Sequence, residues 1–261
     1  MGQAPGPSVV VGSSRGLGAA LVEALLRAGA PAVLGVARTP LPAMATRHAW
    51  AASDRYRHLD LDVTTEGAVG RMAEAVAALP PGRLQVIYNA AAVRSDLPPG
   101  GGIDWAVVDE VNRVGVVGFV NAVRAIEPHL LRRSGVLAGI SSYAALAPPV
   151  REPRLAYPAS KAYLDMALRV LRQRWRGHAR VVTVRLGHLG TARPRGWRRL
   201  VQPSYEMAAQ RITAALGTAR GPDVIGYPWP YSLLYGGLVP LLPDRLYFAL
   251  LGRLLGGARS R

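Results

Sequence analysis

The chain has no cysteine, so disulfide staples, thiolate metal sites and cysteine nucleophiles are all excluded. It is therefore indifferent to the redox state of its compartment. Lysine is nearly absent too: Lys161 stands alone, and arginine supplies the rest of the permanent positive charge. Acidic residues are scarce, 16 against 32 Lys and Arg, which leaves a formal net charge of +16. A balance this basic suits nucleic acid, anionic lipid or an acidic carrier protein. The arginines are scattered, few aromatics interleave with them and no nucleic-acid motif occurs, so no nucleic-acid partner is expected. The arginine-for-lysine bias is read as genome composition.

Long hydrophobic runs are also missing. Val224 to Pro243 carries no charge, but Pro228, Pro230, Pro240, Pro243 and the Gly236-Gly237 pair would strand backbone polar groups in lipid, so no membrane span is expected. Leu246 to Leu255, edged by Arg245 and Arg253, fits a short amphipathic helix making peripheral membrane contact. Met1 to Pro7 carries no positive side chain, and the apolar run Ser8 to Val11 is too short for a signal peptide, so a cytoplasmic protein is expected. The histidines His48, His58, His129, His178 and His188 are dispersed without ligand spacing, and no metal is expected. His188 is read as a polar loop residue, with substrate contact as the alternative.

What is present is the material of a packed core. Half of the 261 residues are hydrophobic and there is no repeat, so one domain spanning 1–261 is expected. Apolar runs and helical periodicity alternate. Strands are predicted at Ser8–Gly12, Ala32–Ala37, Tyr56–Leu61, Leu84–Tyr88, Val136–Ile140, Val181–Leu186 and Asp223–Tyr227. Helices are predicted at Leu17–Ala28, Glu66–Leu79, Val107–Arg133, Tyr157–Trp175 and Tyr205–Leu216. This alternation predicts an α/β fold, a doubly wound parallel sheet with helices on both faces. Gly187 to Pro203 reads as a mobile substrate loop, and the rest as a Pro-interrupted apolar extension.

Gly12, Gly16 and Gly18 stand between the first strand and the first helix, where glycines admit a pyrophosphate to a helix N-terminus. Ser14, Arg15 and Leu17 belong to the same turn. At the end of the second strand, where an acidic residue would hold an NAD ribose, the chain has Ala37-Arg38. Arg38 and Arg15 offer guanidinium groups to a 2'-phosphate, so the expected cofactor is NADP(H). Tyr157 and Lys161 lie four residues apart, on one face of a helix, and a phenol needs a nearby cation to exchange its proton near neutrality.

With these residues in order, the sequence resembles the short-chain dehydrogenase/reductase family over about Val9 to Thr191. The glycine turn, Asp62 followed by Val63, Asn89-Ala90-Ala91, Asn112, Ser142 and the Tyr157/Lys161 motif stand at positions corresponding to the family's motifs, as do Leu186-Gly187 and Thr191 with Leu189 between them. The resemblance implies a Rossmann-type fold, with 8–192 as cofactor-binding and catalytic core and 193–261 as substrate loop and C-terminal region. It implies Asn112, Ser142, Tyr157 and Lys161 as catalytic residues. It further implies Asp62, Val63, Asn89, Ala90, Tyr157, Lys161, Leu189 and Thr191 at the cofactor, and a homodimer or homotetramer. Tyr157 would give a proton to a carbonyl oxygen held by Ser142, with Ser141 the adjacent alternative, and Lys161 would lower the Tyr157 pKa. Asn112 would support a water chain to Lys161. Val11, Tyr88, Ala91 and Leu186 depart from the family's usual residues.

The expected substrate is a hydrophobic carbonyl compound or alcohol beneath Tyr227, Trp229, Tyr231, Tyr235, Tyr247 and Phe248. Arg193, Arg195, Arg198 and Arg199 are read as a solvated loop, with an anionic handle on the substrate as the alternative. Dehydration, epimerisation or isomerisation at the same site, and a non-catalytic NADP-binding regulator, are the rival functions.

Overall fold

The computed structural model describes residues 5–98, 100–147, 154–190, 198–218 and 220–256, excepting the side chains of 198, 199 and 251–256. Thr191, Arg193 and Arg195 fall outside the described residues, as do the side chains of Arg198 and Arg199.

Seven strands, β1 (Ser8–Val11), β2 (Val33–Ala37), β3 (Tyr56–Asp60), β4 (Gln85–Tyr88), β5 (Val136–Ser142), β6 (Arg180–Leu186) and β7 (Val224–Tyr227), form one sheet in the order β3-β2-β1-β4-β5-β6-β7. All neighbours run parallel. The helices are α1 (Gly16–Arg27), α2 (Leu41–Ala45), α3 (Ala68–Ala77), α4 (Trp105–Asn112), α5 (Gly118–Arg132), α6 (Ala156–Arg174), α7 (Arg198–Val201), α8 (Tyr205–Leu216), α9 (Trp229–Tyr231) and α10 (Asp244–Gly256). The Leu246 to Leu255 prediction is thus a real helix, and α2 is one the sequence reading passed over.

A sheet covered on both faces needs apolar residues at successive positions, which is why β1 and β4 are buried along their whole length. Alternate side chains enter opposite layers. Val9 and Val11 join the layer of α3 and α5 with Met72, Phe119 and Ile126, while Val10 joins that of α1 and α8 with Leu21, Leu25 and Ile212. Strand order reverses between β1 and β4, so their carboxyl ends open the crevice where an open α/β sheet binds ligands. The glycine turn after β1 and Asn89 after β4 flank that crevice. The Asn89 backbone N–H donates to the Val11 carbonyl at 2.9 Å, and its Nδ2 to the Gly12 carbonyl at 3.2 Å.

Sequence periodicity predicted one unbroken helix over Val107–Arg133. The stretch is broken in phase, with a π-helical turn at Arg113–Val117 between α4 and α5. Trp105–Arg132 is also the one stretch among the described residues long and apolar enough to cross a membrane, yet Phe119, Ala122, Ile126 and Leu130 are buried on the sheet. The π turn has a partner in Tyr88. Its hydroxyl, buried at the end of β4, donates to the Val114 carbonyl at 2.6 Å, and Gly118 makes room: a Cβ there would stand 3.0 Å from the Tyr88 oxygen. Burial pushes the Tyr88 phenol far up, so it stays a donor at all physiological pH. Tyr88→Phe removes the donor and strands the Val114 carbonyl, and should destabilise the fold by about 1–3 kcal/mol. Urea midpoints of the two proteins check this; coincident midpoints would show that the bond contributes nothing.

Candidate active site

The glycine turn is built by close approach. Gly12 has φ +83°, and a Cβ on it would stand 2.8 Å from the Ala90 nitrogen. On Gly18 a Cβ would fall 1.8 Å from the Gly12 carbonyl oxygen, so α1 can lie against the turn only with hydrogen there. Arg15 caps α1 without a side-chain hydrogen bond, which leaves the first backbone N–H groups facing the crevice. This cradle fits a dinucleotide pyrophosphate. Leu17 is buried under the turn, and the Ser14 carbonyl accepts from His48 Nε2 at 3.2 Å. His48 itself is stacked on Trp50. The sequence shows His48 only as one of the dispersed histidines, because it lies in a loop and reaches the turn only through the tertiary fold.

Beside the turn, Arg38 is 65% exposed at the end of β2, with Nη1 3.7 Å from Asp62 Oδ2. Asp62 also accepts from the Thr64 backbone N–H at 2.9 Å and the Thr64 hydroxyl at 2.8 Å. Burial works to raise the Asp62 carboxyl, but the Thr64 bonds and the guanidinium groups of Arg38 and Arg113 outweigh it and hold the carboxyl below its usual range. Val63 is buried, and its carbonyl accepts from Asn121 Nδ2 at 2.9 Å. Arg15 is exposed. Leu189, half-buried after β6, packs on the layer of α1 and α8.

On the other side of the crevice, Ser142 ends β5 and Tyr157 and Lys161 share α6. The Ser142 hydroxyl lies by Tyr157 and favours its ionised form, and Ser142 Oγ accepts from the Ala144 N–H at 3.1 Å. Ser141 is turned away: its hydroxyl is buried 3.5 Å from the Lys161 carbonyl. Of the two adjacent serines, Ser142 is the one that meets the tyrosine. Lys161 is buried, donates from Nζ to the Ile140 carbonyl at 2.7 Å and sits 5.7 Å from the centre of the Tyr157 ring. Burial pushes the ammonium pKa down to about 8, opposed by Asp165 one turn along. Asp165 in turn accepts from Arg185 Nε at 2.7 Å.

The surroundings of the Tyr157 phenol are dominated by burial. Burial raises the phenol above its ordinary value, and the opposing influences are the Ser142 hydroxyl and Arg154. The Lys161 ammonium is engaged with a backbone carbonyl. Asn112 is half-buried at the end of α4, and the π turn after it packs on α6, where a Cβ on Gly115 would stand 2.8 Å from Ser160 Cβ.

Asp96 was also missed. Buried in the β4–α4 loop, its Oδ2 accepts from the Leu155 and Ala156 N–H groups at 2.9 and 2.7 Å, and so fixes the start of α6 next to Tyr157. Its partners lie 59 and 60 residues away in sequence, beyond any local signal.

The C-terminal aromatics divide. Tyr231 and Tyr235 stack with ring centres 5.9 Å apart, each 5.9 Å from Tyr143, and Tyr143 hydrogen-bonds Ser232. The Tyr231 ring lies against Gly187, where a Cβ would stand 2.7 Å away. Tyr247 is buried with Ala147 and Val239. Trp229 and Phe248, by contrast, face outward, so the predicted aromatic roof is only partly formed.

Comparison with known proteins matches this geometry. A short-chain dehydrogenase from Burkholderia cenocepacia J2315, solved in complex with NADP, superposes with TM-score 0.73 at 25% identity, covering 97% of this chain and 99% of its own. One from Streptomyces avermitilis gives 0.72 at 23% identity, with 97% and 98% covered. The serine dehydrogenase of Escherichia coli gives 0.68 at 18% identity, with 84% and 96% covered. No curated protein matches significantly by sequence. The family model described as short chain dehydrogenase matches residues 8–199. The chain belongs to the short-chain dehydrogenase family, a family of NAD(P)-dependent oxidoreductases with a Rossmann-type fold.

Proposed function

We propose that the protein is an NADPH-dependent oxidoreductase interconverting a carbonyl group and an alcohol on a lipophilic small molecule. The observation that carries this is the hydroxyl pair Ser142–Tyr157 with the buried Lys161 ammonium beside it, at the same edge of the sheet as the glycine turn. With its pyrophosphate held at that turn, a nicotinamide dinucleotide would supply or accept the hydride at the substrate carbon. Tyr157 gives its proton to the substrate oxygen in reduction and takes it back in oxidation. Ser142 holds the same oxygen and stabilises the charge that develops on it. Lys161 keeps a positive charge beneath the phenol up to about pH 8. Asn112, at the head of the π turn, supports the route by which Lys161 exchanges protons with solvent. Tyr143, Tyr231 and Tyr235 give the substrate side an aromatic wall, which suits a lipophilic partner.

Preference for NADPH rests on Arg38 and Arg15 beside the turn, with the charge of the Asp62 carboxylate balanced by Arg38 and Arg113. Arg38→Asp removes a guanidinium partner and sets a carboxylate where the 2'-phosphate would lie. NADPH affinity should fall about 10–100-fold while NADH binds no worse. Titration of intrinsic fluorescence with both nucleotides decides it, and tighter NADH binding by the unaltered protein would refute the assignment. Exposed Val120, Met166 and Val170 on α5 and α6 provide the surface for a homodimer.

A further inference from the structure

One turn beyond Lys161, α6 carries a second buried charge, Asp165. Residues four apart on a helix share a face, and both of these are only 6% exposed. Arg185 on β6 donates from Nε to Asp165 Oδ2 at 2.7 Å. The other oxygen, Oδ1, is buried with no hydrogen-bond partner among the described residues. A carboxylate kept inside with one oxygen unused costs stability unless positive charge nearby offsets it. In the sheet register Arg185 stands beside Ser141, between Ile140, whose carbonyl accepts from Lys161 Nζ, and Ser142. The Arg185–Asp165 pair is thus attached to the same stretch of β5 that seats the ammonium.

The elements packed on α6 are α4, the π turn, β5 with the 3₁₀ turn Tyr143–Ala145, and β6. Their other charged and titratable groups are engaged elsewhere. Glu110 pairs with Arg94, Asp109 and Arg113 are exposed, and the Tyr143 hydroxyl bonds Ser232. Arg180 is bound to the carbonyls of Ala215, Thr218 and Pro222. On α6 itself Arg169 and Arg174 are exposed, and Arg172 is held by Val181, Thr183 and Asp223. Arg154, ahead of α6, acts on Tyr157, whose phenol burial keeps neutral. Asp165 is the carboxylate that favours the charged form of Lys161 against the cost of burial. We propose that Asp165 is a positioning residue: anchored by Arg185, its carboxylate keeps the buried Lys161 ammonium charged where the Tyr157 phenol needs it. Arg185 sets how strongly Asp165 acts, because its guanidinium draws on the same carboxylate. The inference rests on the reading of Tyr157 and Lys161 as the proton-transfer pair.

Because Lys161 is the one lysine in the chain, lysine isotopically labelled at Cε gives a single side-chain NMR resonance. Its shift against pH reads the proton affinity of this ammonium without an assay of activity. The unaltered protein should titrate near pH 8. Asp165→Asn keeps the shape and removes the charge, and should lower the midpoint by about one pH unit, an about tenfold loss of proton affinity. Arg185→Gln should raise it by about half a unit, since the carboxylate is then shared with no other cation. Opposite signs mark a charge acting on Lys161, whereas a loosened helix would move both variants alike. Should Asp165→Asn fail to fold, Arg185→Gln carries the comparison beside Asp165→Glu, which keeps a carboxylate and should hold the midpoint near pH 8. A midpoint that Asp165→Asn leaves unmoved, or that Arg185→Gln fails to raise, would overturn the proposal. The alkaline limb of turnover should follow the midpoint. Midpoints that shift as described while that limb stays fixed support the pairing and count against the role of Lys161 in the reaction.

Discussion

Replacing Tyr157 with phenylalanine is expected to lower turnover by about 10²–10⁴-fold, the range that a positioned general acid supplies. NADPH affinity should change less than about threefold. The substitution removes one oxygen and keeps the ring, which packs beside Val107, Val108 and Val111. Ser142 then retains the Ala144 N–H bond but has no proton-donating partner for the substrate oxygen. The check pairs a turnover assay on a hydrophobic carbonyl compound with a fluorescence titration of NADPH. Full activity in the variant would move the proton donor elsewhere, and lost cofactor binding would make Tyr157 a structural residue instead.

Lys161→Met should have an effect of similar order on turnover and a distinctive one on stability. The folded protein holds the Lys161 ammonium at a pKa of about 8, against 10.5 for an unhindered lysine. Between those values the unfolded chain binds the proton and the folded chain does not. Stability contributed by this residue therefore rises with pH across that window, and the burial penalty is fully present only below about pH 8. The rise is bounded at roughly 3 kcal/mol. Methionine carries no such penalty, so the unaltered protein should gain on the variant between neutral pH and about pH 10. The tyrosines whose pKa burial raises, Tyr56 and Tyr157 among them, act oppositely above pH 10, but they are common to both proteins and cancel in the difference. Urea midpoints at neutral and alkaline pH give that difference directly. A difference independent of pH would mean that the ammonium is not buried as described.

The parts of this molecule that could be read from sequence are those whose signals are local. The run Ser8–Val11 followed by Gly12, Gly16 and Gly18 announces strand, turn and helix within eleven residues. Tyr157 and Lys161 are legible because an α-helix brings residues four apart onto one face. Strand positions held to within a residue or two at each end, since buried parallel strands demand continuous apolar runs. What escaped reading depends on distant partners or on small departures from regular geometry. Asp96 is one acid in a loop until α6 arrives to be capped, and His48 gains its role only when stacked on Trp50 beside the glycine turn. The π turn escaped because a single additional residue hardly disturbs an apolar periodicity of three to four. In the tail, Pro240 and the glycine pair suggested irregular chain, but 3₁₀ and π-helical turns accommodate them between α9 and α10.

That additional residue has a consequence for how the protein can change. α4 directs Val107, Val108 and Val111 toward Ala156 and Tyr157 on α6, while α5 directs Phe119, Ala122 and Ile126 toward the sheet. Each residue of an α-helix turns the next by about 100°, so one inserted residue resets the direction of everything beyond it. The turn at Arg113–Val117 works as a phase adjuster, letting one rod address two layers at different angles. A single-codon deletion there would leave α5 seated on the sheet and rotate Asn112 away from α6. It is the smallest edit to the gene that would uncouple the chemistry from an otherwise intact fold.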